Sequence, residues 1–486
     1  MNHLYYGDCL TIMQEWPLDY VDLIYLDPPF NSNRSYNAIY KDETGLPLPD
    51  QIEAFCDMWE LDRERERAIK HMPILLRENG IDDATTEFWR LWMNALRDTQ
   101  PSLLAYLSYM VERLLVMKRI LKPTGSIYLH CDPTASHYIK VMMDGIFGHK
   151  NFLNEVIWHY QTGGAGKRFY AKKHDSILFY SIGKHYKFYP NRIRFPRTEK
   201  SLLRAQNPKG ARISEDNDTK LPLDVWTDIS ALNPVANERM GYNTQKPVEL
   251  LERIIKASSD PGDVVLDPFC GCGTTVEAAQ KLGRKWIGID IAIHAIKRVA
   301  SVRLENRIGL KQGRDFEIQG VPRNLEGAQD LWERDKYHFQ KWAVEQVDGF
   351  VTSKKSNDGG IDGRIYIRKN WQSKDLDSMV LEVKGGKNVF IGDVRALRGV
   401  LDNDNALMAG LIVMNKPTGT KLTNFNRFMA EAGDLTIDGF DYPKMQLLSV
   451  EEIFEGKRFI TPSIVGKTDN QPSKLSGWDT VQAHNS

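Results

Sequence analysis

Cysteine is scarce in this chain. Only five cysteines occur among 486 residues, and no two of them have the C-x-x-C spacing of a paired site. An odd, scattered set excludes a disulfide framework and gives no zinc pattern, so we expect reduced thiols. The adjacent pair His130 and Cys131 could resemble metal ligands, but the end of a core strand is the better interpretation.

Long hydrophobic runs are also lacking. No apolar stretch approaches the ~18 residues that a membrane span requires. The start, residues 1–8, has neither the basic nor the apolar region of a signal peptide. We therefore expect a soluble, cytoplasmic protein with no membrane partner.

The chain has no excess of charge of either sign. It contains 64 Lys and Arg and 64 Asp and Glu, which excludes a wholly basic nucleic-acid coat but not a local basic cleft. We also find no internal repeat, which argues against a solenoid. With 42% hydrophobic residues the chain can bury ample core, and its length predicts two to four domains at about 150 residues each.

Short apolar runs alternate with helical patterns through residue 300, which is typical of a parallel sheet wrapped by helices. The predicted fold class is α/β, with a larger unit over residues 1–320 and a smaller α/β unit over 328–460. Residues 40–100 form a helical insertion in this interpretation. The polar stretch 461–486 is expected to be a flexible tail.

A candidate cofactor loop follows the apolar run that ends at Asp267. Glycines at 271 and 273 allow a close approach of the backbone, and a helix begins near Thr274. About 20 residues later, Asp290 ends a second strand, where a carboxylate can accept ribose hydroxyls. This much also fits a dehydrogenase. The spacing Phe269-x-Gly-x-Gly differs from GxGxxG, however, and favours a methyltransferase loop.

The tetrapeptide Asp27-Pro28-Pro29-Phe30 follows the apolar run 21–26. It resembles the active-site tetrad of amino-methylating DNA methyltransferases. The exocyclic amine that such enzymes modify is conjugated to its ring and is a poor nucleophile, so the site must accept its hydrogens. The Asp27 carboxylate and the Pro28 carbonyl are two such acceptors. The prolines stiffen the loop, and Phe30 offers a face on which a base flipped from the duplex can stack.

In this order, the two motifs resemble those of the β-class DNA amino-methyltransferases, over about residues 3–305. The segments 7–10, 120–132 and 244–247 resemble further elements of that family. The resemblance implies a Rossmann-like domain that transfers a methyl group from S-adenosylmethionine to an amine of a flipped base in double-stranded DNA, with adenine favoured over cytosine. The cofactor-binding residues that it implies are Asp8, Lys246, Asp267, Phe269, Gly271, Gly273, Thr274 and Asp290.

A basic segment lies within residues 161–235, our candidate for target recognition. Between Gly163 and Lys220 there are fourteen Lys and Arg against five acids, a net charge of plus nine. The aromatic residues interleaved with them are Phe169, Tyr170, Tyr186, Phe188, Tyr189 and Phe195. Basic residues mixed with aromatics suit phosphate neutralisation and base stacking. An ordinary solvated insertion is the alternative.

A second constellation lies near the carboxyl end. Asp362 occupies a Gly-rich turn, and Glu382 and Lys384 lie two residues apart on one strand, after a helix expected over 329–347. The pattern resembles the PD-(D/E)xK restriction-endonuclease fold, particularly its Mrr-type branch, over about residues 330–455, although Gly-Ile-Asp replaces the usual proline motif. The resemblance implies Mg²⁺ held by Asp362 and Glu382, with Lys384 orienting the attacking water.

Three functions therefore stay open. The first is a DNA methyltransferase fused to an active nuclease-like domain, in restriction-modification, for which a homodimer is one candidate assembly. The second is a methyltransferase whose second domain only binds DNA. The third is a non-catalytic DNA-binding regulator, against which the intact Asp27 and Gly271 argue. An oxidoreductase is a more distant alternative.

Overall fold

The computed structural model describes most of the chain, and all structural statements below concern those residues. They are 2–29, 35–38, 52–56, 59–161, 168, 170–197, 199, 219–233, 236, 238–240, 245–352, 360–367, 377–386, 388–403, 406–437 and 439–462. Phe30, most of the basic segment between 198 and 218, and the tail from 463 onward lie outside them.

The first 320 residues contain thirteen strands and eight α-helices among those described. The strands are β1 (Asn2–Tyr6), β2 (Val21–Leu26), β3 (Ser35–Ala38), β4 (Ile52–Cys56), β5 (Leu121–Cys131), β6 (Phe152–His159), β7 (His174–Ser181), β8 (Phe195–Pro196), β9 (Thr219–Lys220), β10 (Val225–Trp226), β11 (Val264–Asp267), β12 (Lys285–Asp290) and β13 (Phe316–Gln319). The helices are α1 (Cys9–Gln14), α2 (Arg63–Glu78), α3 (Asp83–Thr99), α4 (Pro101–Ile120), α5 (Ser136–Met143), α6 (Val248–Ser258), α7 (Thr274–Lys281) and α8 (Ile293–Arg298). Short 3₁₀ or π segments lie at Asp144–Gly148, His149–Asn151, Pro190–Ile193 and Val299–Arg307.

Nine of these strands form one sheet, in the order β10-β6-β7-β5-β2-β11-β12-β1-β13. From β5 to β13 the six neighbouring strands are all parallel, and β7 is antiparallel to both of its neighbours. The alternation of strands and helices predicted this α/β arrangement. Strands β11 and β12 end at the predicted cofactor residues Asp267 and Asp290, and β2 comes before Asp27. Because these three strands are neighbours, their carboxyl ends share one edge of the sheet.

Apolar side chains cover both faces of the nine-stranded sheet. One face packs against α1, α4 and α5, and the helices α2 and α3 of the insertion add Met72, Trp89 and Met93 to this side. The other face packs against α6 to α8. Burial on both faces explains why β2 reads as a continuous apolar run rather than an alternating one.

Residues after 320 form a second, smaller α/β layer structure. Its helices are α9 (Leu325–Arg334), α10 (Lys336–Gln346), α11 (Ile391–Asn403), α12 (Gly419–Ala430) and α13 (Val450–Phe454), and its strands are β14 (Phe350–Val351), β15 (Gly363–Ile367), β16 (Asp377–Lys384), β17 (Met408–Val413), β18 (Asp434–Ile437), β19 (Phe440–Pro443) and β20 (Met445–Ser449). The main sheet has the order β14-β15-β16-β17-β20; β15 is antiparallel to both of its neighbours, whereas β16, β17 and β20 are parallel.

The single helix expected over 329–347 is wrong. The structure has two helices there, and Asp335 both ends the first and begins the second. The Asp335 amide donates to the Leu331 carbonyl, and its carboxylate accepts from the His338 amide at 2.9 Å. A side chain that caps a new helix competes with continuation of the old one, and the apolar spacing alone does not reveal this competition.

The two sheets share one hydrophobic core. Side chains of the first sheet, such as Leu4, pack in the same buried cluster as Phe339 and Trp342 of α10 and Leu381 of β16. Among the described helices, none combines the length and the apolarity that crossing a bilayer would require.

Packing of the helical insertion on the core generates a stability prediction. A Cβ on Gly145 would lie 2.6 Å from Nε1 of buried Trp89, so Gly145→Ala should destabilise the protein by about 1–3 kcal/mol. Gly399 in α11 has no atom within 4 Å of its Cβ position, so Gly399→Ala should stabilise by up to ~1 kcal/mol. Chemical unfolding of both variants measures the difference; equal midpoints would show that the insertion is loosely packed.

Candidate active site

Four carboxylates gather at the carboxyl edge of the parallel strands. Asp8 follows β1, Asp27 follows β2, and Asp267 and Asp290 end β11 and β12. In open α/β sheets this edge is where ligands bind, particularly where the strand order reverses. The reversal here lies between β2 and β11, which pair directly. The structure thus brings the two sequence motifs side by side.

Asp27 forms an ion pair with Lys246, the residue that comes before Pro247 at the start of α6. Lys246 Nζ lies 2.6 Å from Asp27 Oδ2, with both side chains at most 16% exposed. The other oxygen, Oδ1, is buried and accepts no hydrogen bond from the described residues. Buried polar atoms are usually paired, so an unused acceptor in this loop suits a donor supplied by a ligand.

The rest of the tetrapeptide is only partly described. Pro28 is buried and Pro29 is half-buried, whereas Phe30 lies outside the described residues. The stacking role predicted for Phe30 therefore stays a prediction.

A hydrogen-bonded network beside this loop was not anticipated from the sequence. Tyr25 Oη lies 2.9 Å from His130 Nδ1, and His130 Nε2 lies 3.0 Å from Asp175 Oδ2. Burial raises the pKa of Asp175, but the His130 hydrogen bond and the nearby Lys246 charge lower it below its usual range. His130 is fully buried, as the core interpretation predicted, yet it links Tyr25 to a carboxylate close to Lys246.

The loop between β11 and α7, which contains Gly271 and Gly273 and is called the glycine loop below, lies against the end of β12. Gly271 and Gly273 have φ of 49° and 76°, and a Cβ on Gly273 would lie 2.8 Å from Val299 Cγ1. The Gly271 amide donates to Asp290 Oδ2 at 2.8 Å, and the Ala292 amide donates to Oδ1. Burial raises the pKa of Asp290 to about 6. Only glycine can hold this conformation without strain, which explains the two glycines.

Asp267 is buried at the foot of the same loop. Its oxygens accept from the Phe269 amide at 3.1 Å and the Thr275 hydroxyl at 2.5 Å. Burial, together with the charges of Asp27 and Asp290, raises its pKa to about 7 despite these bonds. The Asp267 carboxylate thus stabilises the conformation of the glycine loop.

Three other predicted cofactor residues have partners inside the protein. Arg113 of α4 donates to both oxygens of Asp8, at 2.7 and 2.6 Å, and the Leu10 amide also donates to Oδ1. Thr274 begins α7 and accepts from Arg303, and Phe269 packs against the core. Arg113 lies between apolar residues in the middle of α4, which is the signal that could have revealed its partner, because buried arginines are almost always paired.

The second predicted site is also assembled. Lys384 Nζ lies 2.6 Å from Glu382 Oε1 and 3.7 Å from Asp393, and Asp362 Oδ2 accepts from the Val383 amide at 2.8 Å. Burial raises the pKa of Glu382, and the charges of Asp362 and Asp393 raise it further. Asp393, at the start of α11, was not expected from the sequence. Among the residues that the structure describes, however, no cluster of three or more His, Cys, Asp or Glu side chains is arranged for a metal ion.

Several Lys and Arg side chains in the described part of the basic segment bind partners within the protein. Arg192 donates to the Ser259 carbonyl and to Asp260, and Arg194 donates to Thr219. Lys172 is exposed. The positive charge of the segment is thus partly neutralised within the protein.

Residues 21–301, more than half of the chain, match the sequence model of the N6_N4_Mtase family, described as DNA methylase. The chain belongs to this family. The methylase match contains Asp27, Lys246, Asp267, Gly271 and Asp290, which are the residues that meet at the sheet edge.

Individual relatives agree with the methylase assignment. The chain is 34% identical over 221 residues to type II methyltransferase M.HpaI of Haemophilus parainfluenzae, covering 45% of this chain and 66% of that protein. It is 27% identical over 294 residues to DNA adenine methyltransferase YhdJ of Escherichia coli K12, covering 60% and 79%. For M.EcaI of Enterobacter cloacae the alignment spans only 56% of the relative.

Solved structures give weaker similarities. The methylase TTHA0409 of Thermus thermophilus, titled a putative DNA modification methylase complexed with S-adenosyl-L-methionine, has a TM-score of 0.36 at 18% identity, covering 65% of this chain and 98% of that one. The PvuII DNA methyltransferase, titled cytosine-N4-specific, has a TM-score of 0.39 at 16% identity, covering 63% and 88%. Neither similarity is close enough to support a conclusion about this chain.

The raised pKa of Asp267 predicts that the protein is less stable at neutral pH because of this buried carboxyl. The folded pKa of about 7 exceeds the unfolded value near 4, so this carboxyl stabilises the fold fully below about pH 4 and loses that stability as the pH rises through 7. In Asp267→Asn the side-chain oxygen can still accept from the Phe269 amide, and the new NH₂ group can donate to the Thr275 hydroxyl oxygen. The free energy of unfolding of the variant should exceed that of wild type by about 1 kcal/mol at pH 5 and by about 4 kcal/mol at pH 8.

Chemical unfolding at several pH values measures this gain. The control is Asp83→Asn, because the Asp83 side chain is 87% exposed. A stability difference that did not change with pH would contradict the buried-carboxylate explanation.

Proposed function

We propose that the protein is a site-specific DNA methyltransferase that modifies an exocyclic amine of a flipped base, with adenine favoured. The observation that carries this proposal is the unpaired, buried Oδ1 of Asp27, held at the sheet edge by the Lys246 ion pair and adjacent to the glycine loop. Family membership supports the reaction class. The 27% identity to a relative named as a DNA adenine methyltransferase supports the base preference.

The residues at the sheet edge fit S-adenosylmethionine. Gly271 and Gly273 give the loop its positive φ angles at the sheet edge, Asp290 offers a carboxylate for ribose hydroxyls, and Asp8 retains acceptor capacity beside them. The cofactor would supply the methyl group as an electrophile. Asp267, Phe269 and Thr274 support the loop from inside, and Lys246 reaches Asp27 rather than an open pocket.

Asp27 has a defined task in this proposal. Its Oδ1 accepts one hydrogen of the amine, and the Pro28 carbonyl accepts the other, which draws the nitrogen towards tetrahedral geometry. The ion pair with Lys246 fixes Oδ2, so that Oδ1 stays directed at the base. Because the loop is stiffened by two prolines, the acceptors are oriented before the base arrives.

We further infer two functional units, residues 1–320 for methyl transfer and 328–460 for a nuclease-like function, with residues 161–235 contributing to target recognition. Double-stranded DNA is the partner in this proposal, within restriction-modification. Exposed Lys172 is available to a phosphate, whereas Arg192 and Arg194 already have intramolecular partners. A homodimer is an expectation that no described contact tests.

Removal of the Asp27 carboxylate tests methyl transfer. Asp27→Ala should abolish the transfer of tritium from labelled S-adenosylmethionine to DNA, because the amine loses its acceptor. Cofactor affinity measured by calorimetry should stay within about threefold, since Asp27 contacts the base rather than the cofactor. Glu60→Ala, at an exposed acid, is the control. Methyl transfer by Asp27→Ala at the wild-type rate would refute the active-site assignment.

A specific observation favours a second activity. Asp362, Glu382 and Lys384 converge at one end of β16, where Lys384 is ion-paired with Glu382. Carboxylates that repel one another are stabilised by a divalent cation, so Asp362 and Glu382 are the two carboxylates that would hold Mg²⁺ in this proposal. In this proposal Lys384 orients a water for attack on phosphorus. The alternative is a catalytically inactive domain that only binds DNA.

Plasmid cleavage distinguishes these two alternatives. Wild type should cut DNA only with Mg²⁺ or Mn²⁺, and Glu382→Ala and Lys384→Ala should lose cleavage, whereas Glu431→Ala, at an exposed acid, should not. Unmethylated and fully methylated plasmids are compared, because methylation would be expected to control the cut. Intact plasmid under every condition would leave the domain as a DNA-binding accessory.

A further inference from the structure

Helix α10 belongs to the carboxy-terminal unit but packs on the cofactor side of the first sheet. The His338 ring lies against the Tyr6 ring at the end of β1, with 4.2 Å between ring centroids. Its Cε1 is 3.7 Å from the position that a Cβ on Gly7 would occupy. The Gly7 amide donates to the Asp290 carbonyl, so His338 lies directly beside two of the strand ends that form the cofactor site.

Glu345 extends this contact to the next element. It lies about two helical turns beyond His338 on the same face of α10, and α10 packs against α8. Ile293, the first residue of α8, comes three residues after Asp290. A helix of the second unit therefore packs beside the helix that follows the predicted ribose ligand.

Several polar atoms at this contact are buried without a hydrogen-bond partner among the described residues. They are Tyr6 Oη, His338 Nε2, Trp342 Nε1, Glu345 Oε2 and Gln346 Nε2. Tyr6, His338 and Trp342 are each at least 96% buried. Buried polar atoms are normally paired, and each unpaired one destabilises a fold. Such a concentration at one contact indicates that a partner is missing from the protein alone.

The electrostatic state of these groups indicates the chemistry of the partner. Burial lowers the pKa of His338 to about 4 and raises that of Glu345 to about 8, so both side chains are neutral near pH 7. Neutral donors and acceptors suit a neutral polar ligand, such as a purine edge or a ribose hydroxyl.

We propose that α10 forms a wall of the cofactor pocket and that His338 and Glu345 hydrogen-bond the nucleoside end of S-adenosylmethionine. The proposal rests on the methyltransferase function proposed above. The carboxy-terminal unit then completes the cofactor site of the first unit, and cofactor occupancy reports on how the two units are docked. In this role His338 and Glu345 are binding residues.

Calorimetric titration of the full chain tests the proposal. S-adenosylmethionine and adenosine are titrated into wild type, His338→Ala, Glu345→Ala and the control Tyr337→Ala, which changes an exposed ring on the same helix. Loss of one hydrogen bond should raise Kd about tenfold in the first two variants, by the same factor for both ligands, because both contain the nucleoside. Tyr337→Ala should bind as wild type does.

Hydrogen exchange of the unmodified protein is a second measurement, which does not depend on how a variant folds. Saturating S-adenosylmethionine should slow exchange of amides in residues 336–346. Unchanged Kd in both variants, or no protection of these residues, would overturn the proposal and assign the unpaired atoms to ordered water. Failure of wild type to bind S-adenosylmethionine would instead refute the proposed function.

Discussion

Parallel pairing of β2 with β11 is the contact on which the proposed active site depends. Leu23 lies opposite Val265 and Ile24 opposite Leu266, although some 240 residues separate them along the chain. This register places the residue after each strand at the same edge. On one side of the pair the sheet continues through β5 and β7, and on the other through β12 and β1. The resulting divergence of the two halves opens the crevice in which a base and a cofactor can meet.

Charge is distributed unevenly around that crevice. Asp27 and Asp8 are each matched by a cation, Lys246 and Arg113 respectively. Asp267, which is buried, and Asp290, which is half-buried, have hydrogen-bond donors but no basic partner among the interactions described. Backbone amides fix the position of a carboxylate without neutralising it, which is why burial raises the pKa of both. The structure therefore holds these two acceptors in place for a ligand at the expense of stability.

Much of this organisation was predictable from local sequence. Strands β2, β11 and β12 correspond to the apolar runs before Asp27, Asp267 and Asp290, because runs buried on both faces have a distinctive composition. The convergence of Asp362 with Glu382 and Lys384 also followed from the pattern. The pairing of Arg113 with Asp8 and the break at Asp335 were missed. Each depends on a hydrogen bond from or to one side chain, to a distant residue for Arg113 and to a nearby amide for Asp335. The periodicity of apolar residues does not indicate which hydrogen bonds a polar side chain makes.

The hydrophobic core common to the two sheets has a consequence for how such a protein can evolve. Fused enzymes joined by a linker can exchange one module for another by recombination, because each module keeps its own surface. Here, Phe339 and Trp342 of α10 pack within the same cluster as Leu4 of β1. A foreign module would have to reproduce that apolar surface, so the two units are constrained to be inherited and to diverge together.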